Sequence, residues 1–240
     1  RSVAIEGDVI VAGSAGYGKD STVSGTTAAN CGGAFIYYRN NGGTDNWGFH
    51  KILVGKGTNG RIAGDAFGKS VGISGDVIVV GADLQDYDSA GNNSATDAGA
   101  AYIFNKNSGG ADNWGFMKKL SGAATNGRNA GDNFGYTVGI YKDTIIVGAR
   151  YQFYDTAGGN SLTNAGAAYI YYRQSGGTDN WGLLQRITSG GTNGRVADDN
   201  FASSVAISSD NILIGAPNQD YDSLGANSIT DGGAVYFGKF

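Results

Sequence analysis

The chain has 240 residues and is 16% charged, with 21 Asp and Glu against 17 Lys and Arg for a net charge of −4. No basic stripe is present to neutralise phosphates, which argues against a nucleic-acid partner, and no apolar run approaches the ~20 residues of a membrane-spanning helix, which argues against membrane insertion. Glycine is abundant at 43 residues while proline occurs once, at Pro217; without a G-X-Y period, and with regular apolar runs between the glycines, this composition excludes collagen and disorder and places the glycines in turns.

The first run, SVAIEGDVIVAG from Ser2, returns as SVGISGDVIVVG from Ser70, TVGIYKDTIIVG from Thr137 and SVAISSDNILIG from Ser204. Each splits about a tight EGD, SGD, YKD or SSD turn into two short Val/Ile-rich segments, which predicts an antiparallel strand pair. A long polar loop follows, and then a third strand rich in aliphatic and aromatic residues, GAAYIFNK in the second copy. A Gly-rich hairpin, NSGGADN in that copy, leads to a fourth strand headed by tryptophan. Trp47, Trp114 and Trp181 stand 67 residues apart in TDNWGF, ADNWGF and TDNWGL. The unit closes with TNGR at 58, 125 and 192 and with DAFG, DNFG and DNFA from Asp65, Asp132 and Asp199.

Four antiparallel strands repeated at this period predict an all-β chain with no helix, a β-propeller built of ~67-residue four-stranded blades. Three blades are complete and the fourth lacks its last strand. One domain is expected over 1–240, with blades at approximately 1–67, 68–134, 135–201 and 202–240.

FGKSVGISGDVIVVGA, then GAAYIF, then NWGFMKKL resembles the FG-GAP repeat family over essentially the whole chain, in its bacterial form with a Trp-containing fourth strand. The resemblance implies blades like those of integrin α chains, a secreted or cell-surface location and a role in adhesion or ligand binding; a non-enzymatic structural or adhesive module is expected, with glycans or cell-surface proteins as partners, and a lectin or a calcium-dependent ligand-binding module as alternatives. Integrin-type repeats carry a DxDxDG calcium loop between the first two strands; here that connection is only EGD, SGD, YKD or SSD, so that site is absent. Arg1 opens the chain without Met, which fits a processed export product or a fragment of something longer. Because the last copy stops after GAVYFGKF with an unpaired strand edge, either four blades close with one defective, or the ends are covered by a neighbouring chain in a dimer or filament.

Candidate chemistry concentrates in the loop between the second and third strands. Asp86, Asp88 and Asp97 with Gly91, and Asp220, Asp222 and Asp231 in the fourth copy, imitate a calcium loop with carboxylates at positions 1, 3 and 12. The third copy breaks the pattern with Phe153 and Asn164, and Asx side chains bonding their own backbone are the alternative. Tyr87, Tyr154 and Tyr221 recur beside these acids, where they either stack on sugar rings, as in a lectin, or pin the loop. Ser21, Ser89, Thr156 and Ser223 each follow Asp in a D-[ST]-[small or aliphatic] pattern that resembles an O-glycan acceptor motif, and Asn92 opens an N-x-S sequon.

Elsewhere the residues read as architecture. His50, the only histidine, takes a fourth-strand position held by Met117 and Leu184 in the next copies. Cys31 is single and reads as a small residue beside a glycine pair. The tryptophans are expected to serve blade packing between strands, and Arg61, Arg128 and Arg195 are expected to pair with Asp65, Asp132 and Asp199 through bidentate contacts. No Ser/His/Asp set, zinc spacing or phosphate loop can be assembled, so no catalytic residue is assigned.

Overall fold

The structure, a computed structural model, describes residues 2–18 and 28–240. The first blade comprises β1 (Ser2–Glu6), β2 (Val9–Ser14), β3 (Gly33–Tyr38) and β4 (Gly48–Leu53), and the second β5 (Ser70–Ser74), β6 (Val77–Ala82), β7 (Ala100–Asn105) and β8 (Gly115–Leu120). The third holds β9 (Phe134–Tyr141), β10 (Thr144–Ala149), β11 (Ala167–Tyr172) and β12 (Gly182–Ile187), and the fourth β13 (Ser204–Ser208), β14 (Asn211–Ala216) and β15 (Ala234–Lys239). Each blade is an antiparallel meander in chain order, of four strands in the first three and three strands in the last. Among the described residues there is no helix, and so none long and apolar enough to cross a membrane.

Local chemistry accounts for the meander. Glu6 pairs with Val9 and Ser74 with Val77 across two-residue turns whose first residue, Gly7 or Gly75, has φ of 53° or 57°. This left-handed position suits glycine, and in the later copies Lys142 and Ser209 take it at φ 50° and 57°. The β3–β4, β7–β8 and β11–β12 ladders each shift register at the same place, after Ile36, Ile103 and Ile170.

Blades stack through their first strands, β1 on β5, β5 on β9 and β9 on β13. Three apolar clusters fill the three interfaces: Val11 and Ile36 meet Val71 and Tyr102, Val79 and Ile103 meet Val147 and Tyr169, and Ile146 and Ile170 meet Ile212 and Ile214. Central blades are therefore covered on both faces. β6 and β10 are buried at every position, whereas β13 alternates between exposed and half-buried. This explains why the second strands read as continuous Val/Ile runs.

The crossover between blades is locked by the Phe of the DAFG-type motif. Phe67, Phe134 and Phe201 are buried and meet Tyr102, Tyr169 and Tyr236 edge-on, with ring centroids 5.2, 5.2 and 5.1 Å apart. Their backbones form parallel bridges to Gly32, Gly99 and Gly166. At each of these glycines a Cβ would collide with the Phe backbone, so the glycine before the third strand is dictated by close approach. Trp114 and Trp181 are buried in the packing, as expected, and Trp114 Nε1 donates to Tyr38 of the blade before it at 2.7 Å. Trp47 is half-buried, because no blade precedes it among the described residues.

The array does not close on itself. Val3 and Ile5 on the first blade are 78% and 64% exposed, and Val235 and Phe237 on the fourth are 72% and 66% exposed.

Candidate functional site

The loops after β6, β10 and β14 stand side by side along one rim. Each is organised around a single carboxylate. Asp88 accepts N–H bonds from Ala90, Asn92 and the Asn93 side chain at 3.1, 3.0 and 2.5 Å. Asp155 accepts from Gly159 at 3.0 Å and from the backbone and side chain of Asn160 at 3.2 and 2.6 Å. Asp222 does the same with Leu224, Ala226 and Asn227 at 3.1, 3.0 and 2.6 Å. Donation from Gly159 and Asn160 holds the Asp155 carboxyl at about 2, and donation from Ala226 and Asn227 holds Asp222 below its ordinary value. At Asp88 desolvation opposes the effect, but the Asn92 and Asn93 donors prevail and the pKa is lowered.

Asp86 and Asp220 are also committed to backbone. Asp86 accepts from the Asp97 amide at 2.9 Å and Asp220 from the Asp231 amide at 2.8 Å, each closing the base of its loop. Asp97, Asn164 and Asp231 share a left-handed φ of 53°, 50° and 52°. That backbone, which Asn and Asp tolerate, explains why Asn164 substitutes freely at this position. Among the described residues no group of three acidic, His or Cys side chains comes together to hold a metal ion. Asp88 and Asp222, the third position of the calcium-like spacing, form Asx-turn bonds within their loops.

Tyr87, Tyr154 and Tyr221 are half-buried and form backbone bridges to Ser94, Ser161 and Ser228 across the loop. Their amides donate to Gln85, Gln152 and Gln219 at 2.7, 2.8 and 2.8 Å. Ser89, Thr156 and Ser223 are exposed at the loop tips, as is Asn92. Ser21 lies outside the described residues.

TNGR staples neighbouring loops together, and its arginine does so differently from the expected carboxylate pairing. Asn59, Asn126 and Asn193 donate to the loop glycines Gly91, Gly158 and Gly225 at 3.0, 3.0 and 3.1 Å. Arg128 donates instead to the Asp86 carbonyl, and Arg195 to the Phe153 carbonyl, in the loop of the preceding blade. One crossover therefore grips two loops. The carboxylates expected to meet these arginines turn inward. Asp65, Asp132 and Asp199 accept from the backbone amides of Ile62, Asn129 and Val196 at 2.5, 2.6 and 2.6 Å. They also accept from Gln85, Gln152 and Gln219 at 2.8, 2.8 and 3.1 Å.

Desolvation lifts these three buried carboxyls to about 7, about 7 and about 6 in spite of their donors. Tyr102, Tyr169 and Tyr236 complete each set by donating to Gly60, Gly127 and Gly194 carbonyls at 2.8, 2.8 and 3.0 Å. The glutamines were not singled out from sequence, although they recur at 67-residue spacing in LQDYD, YQFYD and NQDYD.

The remaining candidates have structural partners. His50 stacks on Tyr38 with centroids 4.3 Å apart and contacts the Asp112 carbonyl through Nε2 at 2.8 Å. Cys31 is buried, its Sγ 3.5 Å from the Tyr17 carbonyl.

A family model described as an FG-GAP repeat matches residues 59–104, 114–171 and 181–237. No curated protein matches the chain. Among solved structures, the crystal structure of the computationally designed Ika8 protein is similar at 11% identity and a TM-score of 0.39, over 98% of this chain and 60% of that one.

Proposed function

The chain belongs to the FG-GAP repeat family, and from this membership we propose that it is a non-enzymatic, extracellular structural or adhesive module whose rim of inter-blade loops is its presenting surface. The observation that carries the reading is the equivalence of three loops. Each is fixed by an Asp collar and an Asn clip, and each offers an exposed hydroxyl, at Ser89, Thr156 or Ser223, directly after that Asp. A hydroxyl on a fixed, protruding backbone is accessible to a glycosyltransferase while the blade beneath stays folded. These residues, with Ser21 in the first loop, are the proposed O-glycan acceptors. Half-buried tyrosines anchored through their amides serve the loops as pins.

Intact mass of protein purified from its natural source tests the proposal. Mass above 24.6 kDa by whole sugar units, mapped by peptide sequencing to Ser21, Ser89, Thr156 and Ser223, is expected. An unmodified mass overturns it.

A further inference from the structure

We propose that the two outward faces of the array are the two halves of one blade-to-blade interface, and that a second copy of the chain docks there head to tail, its first blade on the fourth blade of its neighbour. The docking goes beyond the loop reading and does not depend on what the loops carry.

Interior interfaces define the two halves. The downstream face of a blade presents Val11, Ala34 and Ile36 in the first blade and Val79, Ala101 and Ile103 in the second, all fully buried. Strand register places Leu213, Val235 and Phe237 at these positions in the fourth blade, where they are 45%, 72% and 66% exposed. The upstream face presents Val71 and Ile73 in the second blade, packed against the first. Val3 and Ile5 are their counterparts in the first blade, 78% and 64% exposed. The end faces therefore carry the apolar residues of a buried interface without its partner, and a face of that kind marks an association site.

Side-chain size favours one end meeting the other. Val235 and Phe237 are larger than the Ala and Ile at the same positions in all three upstream blades. Ala12 on the opposite end is smaller than Val80, Val147 and Ile214 in its register. Volume is added on one end face and removed from the other, the change a matched interface tolerates best.

Crossover contacts distinguish the interior blades from the two end blades. In the first three blades the crossover backbone lies against Gly13, Gly81 or Gly148, leaving no room for a side chain. An open cleft of about 530 Å³ lies beside Gly215, the equivalent in the fourth blade, lined by Ser203, Gly215, Pro217 and Val235. At the other end, the Gln that donates to a crossover Asp and the Tyr that donates to a crossover Gly carbonyl in later blades are replaced in register by Tyr17 and Phe35, whose rings pack edge to face with centroids 5.3 Å apart.

The test is multi-angle light scattering of the full chain at micromolar to tens of micromolar concentration, alone and as variants. Wild type is expected as two or more copies, a discrete ring or a filament according to whether the contact closes. Ile5→Asp and Phe237→Asp, both at exposed positions and checked for folding by circular dichroism, are each expected to run as 24.6 kDa monomers. An equimolar mixture of the two should form a heterodimer that grows no further, because each variant retains one intact end. A monomeric wild type overturns the proposal, as does self-association of either variant alone, or a mixture that stays monomeric.

Discussion

Asp132 illustrates how a repeated residue acquires a property through burial. Its carboxyl is 1% exposed, held by the Asn129 amide and Gln152, and raised to about 7 chiefly by desolvation. Asp65 at about 7 and Asp199 at about 6 repeat the arrangement. In each case the folded state retains a proton that the unfolded chain gives up near its ordinary value of 3.8. The stabilisation is fully present below that value and is lost as pH rises through 6 to 7. Melting temperature is therefore expected to fall between pH 4 and pH 7.5, with a shallower slope in Asp132→Asn. The low carboxyl of Asp155, at about 2, acts below this window. A melting temperature that climbs across the range would contradict the assignment.

At the scale of the element, the loop after β6 is a self-contained turn structure. Asp88 satisfies three N–H donors in it, and Gly91 is clipped from below by Asn59. Removing the collar with Asp88→Ala leaves those donors without their acceptor and is expected to cost about 1 kcal/mol, comparable to losing a helix N-cap. Because the carboxylates bond backbone, millimolar calcium or EDTA is expected to leave the melting temperatures of wild type and Asp88→Ala unchanged. A calcium-dependent rise in wild type, absent from the variant, would restore the metal reading. The spacing of Asp86, Asp88, Gly91 and Asp97 was legible in the sequence, but its meaning was not. The same oxygen positions serve a cation or an Asx turn, and the choice depends on whether backbone amides or side chains point inward.

Over the whole molecule, stability is expected to follow the one-dimensional logic of a stack in which each blade contacts only its neighbours. The second and third blades are covered on both faces, and the first and fourth on one. Amide hydrogen exchange on a chain blocked at both ends by Ile5→Asp and Phe237→Asp is expected to be slowest in β6 and β10 and fastest in β1 and β15. Uniform protection across all four blades would show instead that the array unfolds as one unit.

The sequence by itself determined the period, the strands, their turns and the blade type, because these are properties of short segments compared with their own copies. It also assigned Trp114 to packing, since a large side chain at a strand entrance repeated in every complete copy has little else to do. Tertiary structure alone decided the partners of residues that meet across 20 or 42 positions: Gln85 with Asp65, and Arg128 with the Asp86 carbonyl rather than Asp132. It also decided which apolar faces are covered. Val3 and Val71 are the same residue in the same strand position, yet one is 78% exposed and the other 8%, because burial belongs to the neighbour a residue has and not to the residue.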